Sequence, residues 1–158
     1  MRERPSKAEI NAALGGGLIA GLIDLFYACA YYGAAFGAPP VRIFQAIAAG
    51  WVGQDAAVAG GDATAVLGIV SHFAIVIVMA AVYVFASRRL PILTQRWALS
   101  GLAYGFGLWV VMRFIVVPLS AAPPPTSFPF WGTLGAVLAH MVVGLVIAWF
   151  TARMRRES

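Results

Sequence analysis

The sequence predicts an all-α polytopic membrane protein: a four-transmembrane-helix bundle with a short external amphipathic or re-entrant helix, in one domain over residues 1–158. Three observations predict it. The chain is 61% apolar and only 11% charged, against roughly 45–50% and about 25% in a soluble domain. The excess is gathered in four runs of about 20 residues, the length a helix needs to cross a bilayer. The basic residues are also sorted by connection. Arg2, Arg4 and Lys7 precede the first run, Arg88, Arg89 and Arg96 lie between the second and third, and Arg153, Arg155 and Arg156 follow the fourth. Only Arg42 falls in the opposite loops. Positive residues remain on the cytoplasmic side of a membrane. The pattern therefore places both termini in the cytoplasm and gives the net charge of +5 no bearing on nucleic acid.

The first span is expected over about residues 11–33. Ser6-Lys7-Ala8-Glu9 before it has the form of a capping box. The run is longer than a signal-peptide core and contains Asp24, so it reads as a span. Gly17 and Gly21 make a small-residue face that lets a second helix approach closely. Asp24 and Ala28 continue that face, which points Asp24 into the bundle. Cys29 is the only cysteine and reads as a small packing residue.

The external segment, 37–62, opens with Pro39-Pro40, which stops a helix. From Val41 to Val52 the apolar residues Ile43, Phe44, Ile47, Ala48, Trp51 and Val52 share one helical face. The stretch is too short to span, so it reads as interfacial or re-entrant. Gly60-Gly61-Asp62 supplies a turn.

The second span is expected over 64–86, ending at Ser87-Arg88-Arg89. Pro91 breaks the connection. The third is expected over 96–117, ending before Pro118, with Gly101 and Gly105 as its small-residue face. The loop that follows carries Pro123-Pro124-Pro125, then Phe128, Phe130 and Trp131 at the outer interface. The fourth is expected over 132–151. No tandem repeat is evident.

Each span carries one ionisable residue: Asp24, His72, Arg113 and His140. At about 1.5 Å per residue they lie roughly 13, 10, 8 and 12 Å from the outer boundary, so the four form one layer. Charge in hydrocarbon is costly, and such residues usually face the bundle interior with a partner. Gly68 lies one turn before His72 and Gly144 one turn after His140. These small neighbours allow either close helix contact or a flat ligand.

Three chemistries fit the layer. In the first, Asp24 pairs with Arg113 and the histidines bond across helices, a purely structural cluster. In the second, the layer handles protons or a transported species. In the third, His72 and His140, on diagonal helices, ligate a b-type haem, with Gly68 and Gly144 making room for it; a metal held by the two histidines and Asp24 is a variant. A phosphate loop, HExxH, CxxC and GxSxG are all absent.

Gly17-Leu18-Ile19-Ala20-Gly21, Ser71-His72-Phe73 with Tyr83, Pro118-Leu119 followed by Pro123-Pro124, and His140 together resemble YagU-like bacterial inner-membrane proteins. The resemblance runs from about Gly15 to His140 and favours His72 and His140 over the other two. It implies a small inner-membrane protein of unsettled activity, with the external loop shortened here to Val41–Val52.

The expected function is a non-enzymatic, transport- or stress-related role for the layer. The alternatives are a bis-histidine haem protein or accessory subunit of a membrane redox complex, and a partner protein with a purely structural cluster. The expected partners are the lipid bilayer and a second copy or a larger membrane complex.

Overall fold

The computed structural model describes residues 4–123 and 129–157. Arg2 and the expected loop residues Pro124, Pro125 and Phe128 lie outside them. The described residues are mostly helical, with no strand among them. Four helices are long and apolar enough to cross a membrane: Lys7–Phe36, Gly61–Ala86, Trp97–Leu119 and Phe130–Glu157.

Helix α1 (Lys7–Phe36) starts on the capping box that its sequence encodes. Ser6 Oγ accepts from the Glu9 amide at 3.2 Å, and Glu9 accepts from the Ser6 amide at 2.9 Å. The helix runs past Gly33 to Gly37, where a φ of 65° forms a left-handed C-cap that costs glycine least. Helix α2 (Pro40–Val52) uses Pro40 in its first turn, where a missing N–H costs nothing. Gly53, at φ 82°, turns the chain into a short helix α3 (Gln54–Ala59) that the composition does not announce. Helix α4 (Gly61–Ala86) follows, then the single turn α5 (Ile92–Gln95).

The third long helix is composite. It consists of α6 (Trp97–Val111), a π segment (Met112–Val116) and α7 (Val117–Leu119). It continues through Pro118 instead of ending before it. Proline lacks an N–H, and its ring crowds the carbonyl four residues back, here that of Phe114. The π segment lies directly before it and widens the ladder at that point. Helix α8 (Phe130–Glu157) carries the basic tail as helix instead of leaving it as a free end.

The long helices pack in the order α4, α1, α8, α6, with α2 laid against the outer part of α4. Helices α4 and α8 sit across the bundle and meet through a core of Ala20, Val76, Ala80, Tyr83, Leu108, Val143, Ile147 and Ala148. Close approach depends on glycine. A Cβ on Gly17 would sit 2.7 Å from Ile77 Cα. Cβ atoms on Gly105 and Gly144 would overlap the His140 and Gly101 carbonyls, and one on Gly101 would lie 2.9 Å from the Gly144 carbonyl oxygen. Gly17/Gly21 thus face α4, and Gly101/Gly105 mesh with Gly144 on α8, all within one chain.

Tyr104 donates to the Met79 carbonyl at 2.8 Å and Tyr83 to the Leu93 carbonyl at 2.9 Å. Many large apolar side chains point outward, among them Leu22, Phe26, Val70, Val78, Leu99 and Phe114. In water such a surface would drive aggregation; in a bilayer it is the contact surface.

Candidate functional site

The four residues Asp24, His72, Arg113 and His140 do not close on one another. They divide between two helix pairs. On the α1–α4 side, the His72 Nε2 lies 2.9 Å from the Gly21 carbonyl oxygen, so the imidazole bonds one helix to the backbone of the other. Gly21 makes this contact possible: a Cβ there would lie 3.0 Å from the Phe73 ring and 3.6 Å from His72 Nε2. Asp24 is half-buried, three residues beyond Gly21 on the same stripe and one turn outward from the histidine contact.

On the α6–α8 side, the His140 Nδ1 lies 3.0 Å from the Ala136 carbonyl oxygen of its own helix. Its backbone carbonyl packs against Gly105. Arg113 is half-buried on the π segment. No ion pair joins Asp24 to Arg113 among the described residues. The ion pairs found there are Arg88–Glu9, Arg155–Glu9 and Arg153–Glu157.

The glycines beside the histidines are filled by protein. A Cβ on Gly68 would fall inside the Phe44 carbonyl of α2, and Gly144 lies against Gly101 and Gly105. The space that a flat macrocycle would need at these two positions is taken by helix backbone.

The outer end is closed by side chains from α1 and α2. Trp51 donates from Nε1 to Ser71 Oγ at 3.0 Å, and Ser71 Oγ donates to the Leu67 carbonyl at 2.7 Å. Gln45 is buried and donates to the Gly61 carbonyl at 3.1 Å. The Ala121 amide donates to the Gly50 carbonyl at 3.0 Å, which ties the chain leaving α7 to α2. Tyr27 and Tyr31 of α1 stack with centroids 5.9 Å apart. Their hydroxyls lie where Cβ atoms on Gly135 and Gly132 of α8 would be.

A second polar cluster lies at the opposite end. Glu9 is 5% exposed. Its carboxylate accepts from Arg88 Nε at 2.8 Å and from an Arg155 terminal nitrogen at 3.2 Å. Arg155 also approaches Ser87 Oγ at 3.4 Å. One carboxylate thus joins the start of α1, the end of α4 and the end of α8. Sequence reading finds Glu9 only as a capping residue. The signal for its second role was the pairing of one acid with basic runs assigned to the same membrane side.

Among the described residues, no group of three or more His, Cys, Asp or Glu is placed to hold a metal ion. No family model, curated protein or solved structure matches this chain.

Proposed function

We propose that this chain is a non-enzymatic, multi-pass membrane protein that acts as a partner or accessory subunit of a larger membrane assembly. In this reading its intramembrane polar residues hold helices in place. The observation that carries it is the pair of histidine bonds: His72 to the Gly21 carbonyl and His140 to the Ala136 carbonyl. Each imidazole places one ring nitrogen on a backbone carbonyl, and the two carbonyls belong to different helices. His72, bonded to a carbonyl of α1, is an interhelical fastener, whereas the His140 bond stays within α8. A second support is the exposure of the third span, of whose most apolar window only 11% is buried. That leaves a long apolar face for lipid or for a partner helix.

The same reading places the chain in a bacterial inner membrane with both termini in the cytoplasm. Supporting this, Arg88 and Arg155 meet at Glu9, at the end of the bundle that also holds Lys7, Arg89 and Arg96, whereas Arg42 stands at the other end. The external helix α2 is read as interfacial, with Trp51 at the boundary.

The optical spectrum of the purified protein tests the proposal. A colourless preparation is expected. A reducible Soret band that disappears in His72→Ala or His140→Ala would replace this reading with a haem protein.

A transport role keeps one observation in its favour. Arg113 sits on a π segment, a feature that recurs at functional sites. Proton flux in liposomes should be the same for the native chain and Asp24→Asn. Flux that depends on pH and is lost in Asp24→Asn would establish the transport role instead.

A further inference from the structure

We infer that the basic end of the bundle carries a binding site for an anionic phospholipid, in a groove formed by α1, α6 and α8. Two adjoining clefts make the groove. One, of about 360 Å³, is lined by Trp97, Trp149, Ala152, Arg153, Arg156 and Glu157. The other, of about 320 Å³, is lined only by apolar residues: Ile19, Leu145, Val146 and Phe150, together with the same Trp97 and Trp149. The two tryptophans are the shared wall. The charged mouth therefore continues into an apolar trough.

The dimensions and charges select the occupant. Arg156 and Leu145 are roughly 16 Å apart along the helix on its rise per residue, and one leaflet's hydrocarbon is about 15 Å deep. Mouth and trough together thus run from the headgroup level into one leaflet, the apolar part from Leu145 to Phe150 taking about 8 Å of it. The mouth is net positive. Glu157 answers only Arg153, at 2.9 Å from Nε to Oε1, and Arg156 has no acidic partner among the described residues. Arg153 also stands over the Trp149 ring, 5.6 Å from its centroid, within the roughly 6 Å reach of such a contact. That fixes one guanidinium at the rim, where a phosphate would sit. Basic pockets between membrane helices on the positive side recognise anionic headgroups in this way, and tryptophan belongs at that level. The site rests on the membrane-spanning reading and is independent of the role of the outer layer.

The test is native mass spectrometry of the full chain in detergent, with phosphatidylglycerol, phosphatidylcholine of the same acyl chains, and inorganic phosphate. Phosphatidylglycerol should bind roughly tenfold more tightly than phosphatidylcholine, and phosphate should not bind measurably. The Arg153→Gln/Arg156→Gln double variant should lose that preference, while Arg153→Lys/Arg156→Lys should keep it. Equal binding of the two lipids, or a preference that survives in the glutamine variant, would overturn the site. Phosphate binding as tight as that of the anionic lipid would overturn the lipid as its source. Retention of the protein in carbonate-washed vesicles checks the membrane reading separately.

Discussion

Glu9 joins three helix ends with one carboxylate, and it does so while still capping its own helix. Hydrogen bonds to a charged group contribute about 1.5–3 kcal/mol each, and the two arginines, about a third exposed, place this cluster toward the lower end of that range. Glu9→Gln should therefore destabilise the protein by about 1–3 kcal/mol. Arg88→Gln and Arg155→Gln should each cost less, because the other guanidinium remains. Thermal unfolding in detergent measures all three; a neutral Glu9→Gln would remove the clamp from the account. The capping role was legible, since Ser6 and Glu9 are three residues apart. The clamp was not, because Arg88 and Arg155 are 79 and 146 residues away, and no local pattern encodes such a pairing. His72 shows the same limit. Its depth could be read from helix rise, but not the carbonyl it would choose.

At the level of elements, close contact is carried by glycine. Where α2 crosses α4, Gly68 lies against the Phe44 carbonyl and 3.3 Å, measured from a built Cβ, from the Ala48 amide. Gly68→Ala should push α2 off α4 and cost about 1–3 kcal/mol, the usual penalty for overpacking. Gly107 is the control, since a Cβ there meets nothing within 4 Å. Gly107→Ala should be neutral or stabilise by up to about 1 kcal/mol through helix propensity. Equal effects at the two sites would show that α2 does not rest on α4. The four long helices were legible because apolar runs of spanning length are a strong signal, and α2 because its apolar residues share a face. Helix α3 was not, being six residues with no periodicity to detect. Nor was the π segment, which arises from how the chain accommodates Pro118. A proline in sequence reads as a stop, and only the surrounding packing decides whether the helix ends or widens.

At the scale of the whole molecule, the bundle is two helix pairs joined along α1 and α8. The polar layer follows that division, with Asp24 and His72 on one pair and Arg113 and His140 on the other. The placing of one such residue on each of the four long helices was legible from the apolar runs. Their convergence was not, because it depends on how each helix is rotated about its axis and on which helices adjoin. The small-residue stripes beside the histidines allowed a ligand or a helix, and in this fold α2 and α6 occupy them. The central claim is that the two histidines act separately, His72 fastening α4 to α1 and His140 bonding within α8. A double-mutant cycle on His72→Ala and His140→Ala, followed by thermal unfolding of the purified protein, tests it most directly. Each single variant should be destabilised by about 0.5–1.5 kcal/mol, and the double variant should equal their sum to within about 0.5 kcal/mol. A coupling larger than about 1 kcal/mol would mean that the two imidazoles share a ligand or a network, and would contradict the account.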